Sequence, residues 1–534
     1  MMQAARFPRP PFLNPANRYA ILFYLFLLSV SVYLLTSSGH NFFLCDASQQ
    51  RLEAVKSLLD HGDIDTATLG VIGRDGRRYV WTGIGSVLVA LPFCWLGLKL
   101  QIPVDLTLRL INPLFGAATV VLVYLFAFHL GYRRRTALVV ALIYAFASMA
   151  WPYAKHPWDN VQEVFFILLS LFLLLLYYPR TWALIAGGTA LGFAFLTRNT
   201  TLILIPAVLA AMILREHREK KDYPLQKIIF SKTFLRNGAC FFGIFTSFFA
   251  IAMQYNYYIS GGYFSTGYQL IFKSAGIDPF SINRIPQGLL GLLVSPGKGM
   301  IFFCPAYLLV LFTFLPFQRR HPDIAFVFFL IIVTYLIFIS SYFFWHADLT
   351  WGPRYLLVTI PFALIPAAAW FESWKNHDYF MKGVVFFIIA TSLVVQLIAV
   401  SVDFHKYWSY LVLEKGVGLI KHEGNGVTVK ELPRHIYFRE SPIVANLLFM
   451  EGFLHPRQRY APLKGTDKES LYLEGLDRSL YMNTFDFWWL HELKSDRNIT
   501  ITTIVLTMLI LMFIASALGI RAALRESPVR QVRD

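Results

Sequence analysis

The chain is divided into apolar runs of about 20 residues, each long enough to cross a bilayer as a helix. In hydrocarbon every backbone N–H and C=O needs a partner inside its own segment, and a helix supplies one. Such runs occupy Tyr19–Thr36, Leu106–Leu130, Thr136–Tyr153, Val161–Tyr178, Trp182–Thr197 and Thr200–Leu214. Others follow at Gly238–Tyr258, Met300–Phe317, Ile324–Phe344, Leu356–Phe371, Gly383–Val402 and Ile499–Ile520. The fold class predicted is an all-α polytopic membrane protein with about twelve transmembrane helices. A further stretch, Gly83–Leu100, carries glycines and Pro92 and is joined to Leu106 by a short link; it reads as an interfacial or re-entrant helix.

With 56% hydrophobic residues and a mean hydropathy of +0.52 over 534 residues, the chain is too apolar for a soluble domain. Its net charge of +16 would point to nucleic acid in a soluble protein, but the positive-inside rule accounts for it here. With a cytoplasmic N-terminus and Gly83–Leu100 not crossing, the inner segments hold 22 Lys and Arg against 8 Asp and Glu, or +14 of the +16. No nucleic-acid partner is needed. The same count predicts that a cysteine placed at Gly465 reacts with a membrane-impermeant thiol reagent from outside, while one at Glu219 does not. The reverse labelling would overturn the orientation and with it the side on which the site is placed.

Arg6, Arg9 and Arg18 before a long apolar core, with no A-x-A site behind it, read as an uncleaved signal anchor. Cys94, Cys240 and Cys304 fall in apolar stretches, so no disulfide framework is implied. Residues 1–403 form the transmembrane catalytic module, with an outer loop at 37–105. Residues 404–498 form an extracytoplasmic insert with 13 Lys and Arg against 12 Asp and Glu, and 499–534 the final span and basic tail. The insert ends in an aromatic cluster, Phe485, Phe487, Trp488 and Trp489, which suits an interfacial belt or a cover over a lipid-linked substrate.

Two aspartates stand just beyond outer ends of spans in a chain almost bare of mid-membrane charge. Pumps and ion-coupled carriers usually keep ionisable groups within their spans, so this placement favours interfacial chemistry. Asp46 opens an amphipathic stretch with Leu52, Val55, Leu58 and Leu59 on one side. Asp159 closes the run Trp151-Pro152-Tyr153-Ala154-Lys155-His156-Pro157-Trp158. Either aspartate could also cap the helix that follows it. Glu163 lies one turn further in, and Lys155 and His156 share its loop. Cations at outer span ends are Arg198, Lys298 and Arg354, the last followed by Tyr355. The planar fork of Arg suits a phosphate, and Lys serves as a point charge.

The order of an N-terminal span, a long outer loop opening on an acid, an interfacial helix and a second acidic loop resembles the GT-C glycosyltransferases. The closest resemblance is to the lipid A aminoarabinose transferase and the protein O-mannosyltransferases. Three stretches resemble related bacterial phospholipid-carrier-dependent enzymes: Gly261-Gly262-Tyr263-Phe264-Ser265-Thr266-Gly267-Tyr268-Gln269, Leu293-Val294-Ser295-Pro296-Gly297-Lys298-Gly299 and Trp351-Gly352-Pro353-Arg354-Tyr355. The resemblance spans residues 15–405. It implies a GT-C fold in a bacterial inner membrane, with Asp46 and Asp159 as catalytic acids facing the periplasm. It implies a polyprenyl-phosphate-linked sugar as donor and a lipid, glycan or protein as acceptor. The chain departs from the family pattern at Ala47, where a second acid is common, and in Arg78-Tyr79-Val80-Trp81-Thr82-Gly83, where a lysine is expected.

The chemistry asks for the same groups. A polyprenyl phosphate leaves readily, so the reaction needs a base for the acceptor hydroxyl and cations for the departing phosphate. Asp46 is the expected base of an inverting transfer, Asp159 its companion, and Arg354, Lys298 and Arg198, with Lys155, His156, Glu163 and Tyr355, the substrate contacts. No H-E-x-x-H, paired Cys or Asp-x-Asp calls for a metal, though a divalent ion shared by Asp46 and Asp159 stays open. The rival readings are a lipid transporter or flippase that binds the same carrier without chemistry, and a scaffold working through 404–498.

Overall fold

The computed structural model describes residues 15–38, 47–68, 70–220, 223–274, 276–347, 350–403, 406–407, 419–421, 427–429, 441–454, 485–494 and 499–525. Asp46, Asp348 and most of 404–498 lie outside them.

The chain begins with α1 (Pro15–Leu35), α2 (Ala47–Asp60), strands β1 (Asp65–Thr66), β2 (Val71–Ile72) and β3 (Arg78–Tyr79), and α3 (Gly85–Lys99). It continues through α4 (Val104–His129), α5 (Arg134–Phe146), α6 (Ala150–Ala154), α7 (Asn160–Tyr177), α8 (Thr181–Thr197) and α9 (Ile205–Glu219). Then come α10 (Leu225–Ile229), α11 (Lys232–Ser260), α12 (Gly267–Ser274), α13 (Ile285–Val294), α14 (Met300–Phe303), α15 (Leu309–Arg320) and α16 (Pro322–Ser341). Helices α17 (Ile360–Leu364), α18 (Ala367–Glu372) and α19 (Tyr379–Ser401) precede an outer helix Pro442–Leu454, a short helix Trp488–Lys494 and the final helix Ile499–Arg525. The protein is an all-α polytopic membrane protein. Among the described residues eight segments are long and apolar enough to cross a membrane, and four shorter helices are similarly apolar.

Two predicted spans are not single helices. Met300–Phe317 is α14, a 3₁₀ turn Pro305–Leu308 and α15; Leu356–Phe371 starts in a 3₁₀ turn Arg354–Thr359 and continues as α17 and α18. Pro305, Pro361 and Pro366 each lack a backbone donor, which interrupts the helical ladder. Most of Leu356–Ala368 is buried, and irregular backbone at membrane depth is tolerated where protein covers it. Hydropathy registers the run of apolar residues but not these breaks.

Helices α8 and α11 pack closely because small residues let their backbones approach. A Cβ on Gly188 would lie 2.5 Å from the Phe241 carbonyl oxygen, and one on Gly192 would lie 2.4 Å from the Phe248 ring. Apolar segments already in lipid gain little from hydrophobic association, so this fit matters more than it would in water.

Loop one is a folded element. Leu52 and Val55 of α2 are buried, and Leu58 and Leu59 pack half-buried against the same core. The three strands form a small antiparallel sheet with β3 in the middle, Tyr79 facing both Asp65 and Val71. The buried Tyr79 hydroxyl donates to Asp75 at 2.6 Å. Arg74 N–H donates to the Ile259 carbonyl and the Tyr255 hydroxyl to Val80, which pins the loop to the end of α11. Helix α3 corresponds to Gly83–Leu100. At 15 residues it is shorter than a bilayer crossing needs. It leaves Phe93, Trp95, Leu96 and Leu98 exposed, while Gly83 and Gly85 sit against the backbone of Leu196 and Thr197.

Candidate active site

Helix α7 starts at Asn160, and Asp159 holds the N-cap position but makes no side-chain cap bond. Its carboxylate is committed elsewhere. Oδ2 lies 3.0 Å from Arg51 Nη2 and Oδ1 lies 3.4 Å from Arg198 Nη1. Arg51 comes from the second turn of α2 and also donates to the Pro157 carbonyl. Arg198 follows the last residue of α8. Two outer loops and a span end therefore converge on one buried carboxylate. Burial alone would raise the Asp159 carboxyl, but Arg51, then Arg198 and Arg354, hold it below the ordinary carboxylate range.

One turn into α7, Glu163 accepts from the Thr200 and Tyr335 hydroxyls, each at 3.2 Å. Its other oxygen lies 3.6 Å from Arg198 Nε. Arg198 thus spans both carboxylates. Arg354 completes the cluster: its guanidinium stands 5.2 Å from the Tyr355 ring centroid and 5.7 Å from that of Trp158. The Arg198 guanidinium lies 5.2 Å over the same Tyr355 ring. Among the described residues no carboxylate pairs with Arg354, and its buried Nε has no hydrogen-bond partner. Three guanidiniums against two carboxylates leave one positive charge over even when both acids are ionised.

Backbone geometry aims this arginine. Gly352 has φ +58, and a Cβ there would lie 2.7 Å from Met149 Sδ and from Phe303 Cβ. Only glycine fits both the left-handed turn and the contact. Lys298, predicted as a phosphate ligand, is buried and its ammonium donates to the Thr350 carbonyl. It braces the loop that carries Arg354 and does not join the cluster. Lys155, expected to be solvated or at the site, is also buried. It pairs with Asp486 at 2.8 Å and donates to the carbonyls of Val400 and Asp486. His156 stacks on Trp158 with centroids 4.8 Å apart. Asp159, Glu163, Arg198, Arg354 and Tyr355 are brought together; Lys155 and Lys298 are not; Asp46 lies outside the described residues. Among the described residues no group of three or more His, Cys, Asp or Glu could hold a metal.

Residues 88–232 match the family model described as dolichyl-phosphate-mannose-protein mannosyltransferase. No curated protein sequence matches the chain. Among solved structures it superimposes on the oligosaccharyltransferase AglB from Archaeoglobus fulgidus, in complex with an inhibitory peptide and a dolichol-phosphate. The TM-score is 0.50 at 12% identity, over 86% of this chain and 64% of AglB. The fold is the GT-C fold of membrane glycosyltransferases. The chain spans just under two thirds of the length of AglB. A looser likeness is to ArnT from Cupriavidus metallidurans, crystallised with undecaprenyl phosphate, at TM-score 0.42 and 14% identity over 88% of this chain and 86% of that one.

Within this GT-C chain the sequence reading missed several functional partners. Arg51 gave a faint signal as a basic residue on the helix next to Asp46. Tyr335 and Thr200 gave none, since hydroxyls at span ends are common. Buried Asn112, midway along no obvious motif, donates to the carbonyls of His156 and Trp158 and accepts from Gln162, fixing the loop that ends at Asp159. The aromatic cluster near the last span serves a more specific end than a belt. The indole N–H groups of Trp488 and Trp489 donate to the Leu34 and Leu35 carbonyls at 2.9 and 3.0 Å. These are orphan carbonyls at the C-terminus of α1.

Proposed function

We propose that the protein transfers a sugar from a polyprenyl-phosphate carrier to a hydroxyl acceptor on the outer face of the membrane. The observation that carries this reading is the surplus guanidinium of Arg354 beside a buried, arginine-clamped carboxylate at the outer end of the bundle. Support also comes from the family match, since residues 88–232 supply Asp159, Glu163 and Arg198. AglB, which shares the fold, is described with a dolichol-phosphate bound, and a lipid-phosphate donor is carried over here as part of the proposal.

A carboxylate held low by two arginines is a poor proton acceptor. Asp159 accordingly serves to fix Arg51 and Arg198. The base is Asp46, by its position at the head of loop one. Asp46 takes the acceptor hydroxyl proton, and that oxygen attacks the anomeric carbon from the face opposite the phosphate. The bond from anomeric carbon to phosphate oxygen breaks, so configuration inverts. The charge gathering on the phosphate is met by Arg354, with Arg198 alongside.

Asp46→Asn is the direct test. Purified full-length protein should lose turnover by about 10²-fold or more, the size of a lost general base, while binding polyprenyl phosphate as before. Unchanged lipid movement in reconstituted vesicles, with no transfer by either form, would establish a transporter instead.

A further inference from the structure

A cleft of about 400 Å³ opens beside the arginine cluster and is lined by Tyr153, His156, Trp158, Trp351, Tyr407 and Asn446, with Pro152, Ala399, Val402 and Pro442 completing its walls. Three parts of the chain meet there. Loop two supplies Tyr153 to Trp158, the turn before Arg354 supplies Trp351, and the outer helix Pro442–Leu454 supplies Asn446. The buried Trp158 links cleft and cluster, since it lines the one and carries the Arg354 guanidinium over its ring.

The walls are aromatic, yet polar groups stand among them. Trp351 is 8% exposed and its indole N–H has no acceptor. The loop around it is otherwise bonded: its own carbonyl accepts from the Tyr153 hydroxyl at 2.7 Å, and Thr350 accepts from Lys298. A buried donor left unmade costs about 1–3 kcal/mol, so an oxygen arriving in the cleft is favoured. The carboxamide of Asn446 offers both a donor and an acceptor. Apolar rings with a few polar groups form the usual lining of a small-molecule site. A sugar ring suits this combination, because its C–H faces are apolar and its rim carries hydroxyls.

We propose that this cleft is a glycosyl subsite, in which a sugar ring rests among Tyr153, Trp351 and Tyr407 and a ring or hydroxyl oxygen accepts from Trp351 Nε1. This deepens the transferase reading and rests on it for the phosphate lying at Arg354 and Arg198. The sugar could arrive on the donor or on the acceptor, and the chemistry of recognition is the same.

Binding and turnover separate the possibilities. Full-length protein in detergent is titrated with polyprenyl phosphate, polyprenyl-phosphate mannose and polyprenyl-phosphate glucose. The variants are Trp351→Phe, which removes the donor, and Ala399→Phe, which fills the cleft. If the cleft holds the donor sugar, wild type binds one glycosylated carrier more tightly than bare carrier, and both variants erase that preference by about ten-fold while bare-carrier affinity stays. If it holds an acceptor glycan, the carrier preference is unchanged and the KM for acceptor rises about ten-fold in both variants. Variants that melt and insert like wild type yet alter neither quantity overturn the proposal. A wild type that distinguishes the carriers but transfers nothing leaves the subsite standing and removes the transferase reading.

Discussion

Arg354→Ala is expected to lower turnover by roughly 10²-fold or more, the effect of losing one well-placed charge-stabilising donor. The reason is that Arg354 is the cation of the cluster without a carboxylate partner among the described residues. Its charge is therefore available to an arriving phosphate and counts most as negative charge develops on the leaving group. Donor affinity should fall less than the rate. Arg354→Lys should recover only part, since it keeps the charge and loses the planar fork. Steady-state turnover and carrier binding on the same membrane-inserted variants check this. Turnover near wild type in Arg354→Ala would make the arginine a structural anchor stacked on Tyr355 and Trp158, and Arg198 would inherit the role.

The second large effect is on stability. Asp159→Ala is expected to destabilise the protein by roughly 3–5 kcal/mol, the usual consequence of removing one partner of a buried ion pair. Arg51 and Arg198 would keep their charges in a site where their side chains are only 7% and 11% exposed. Arg51→Ala alone should weaken the protein similarly, but the double variant should cost less than the sum, because the second change removes an already orphaned charge. Thermal unfolding in detergent measures all three. The sign with pH follows from the depressed Asp159 carboxyl: its stabilisation is complete at neutral pH and is lost as pH falls below about 4, the ordinary carboxylate value. Additive losses in the double variant would show that Arg51 and Asp159 act independently.

These expectations assign Asp159 a different part from the one its position suggests. In the sequence Asp159 and Asp46 look alike, two acids at span ends, each with a helix behind it. The structure gives Asp159 two guanidiniums. A carboxylate so held orients cations better than it accepts protons, and the difference lies in residues 39 and 108 positions away, at Arg198 and Arg51. Likewise Lys155 and Lys298 look like free cations at a membrane surface. Each is buried and spent on holding a loop, Lys155 against Asp486 and Lys298 on Thr350.

Hydropathy determined the membrane architecture, because burial in lipid is set by the composition of each run of about 20 residues and needs no knowledge of its neighbours. The limits of α4, α7, α8 and α19 fall within a few residues of the predicted runs for that reason. The charge count bears on orientation by the same local logic. Candidate acids and arginines could be named from the sequence too, since ionisable residues near span ends are few. Which of them meet was decided by the tertiary structure. The approach of α8 to α11 over Gly188 and Gly192 belongs to close packing between distant segments, as do the breaks at Pro305 and Pro361 and the convergence of α2, α7 and α8 on one carboxylate. Ion pairs and shared cavities depend on distances between parts of the chain that share no local pattern, so the sequence alone carries the list of charged groups and the fold decides which of them remain free for a substrate.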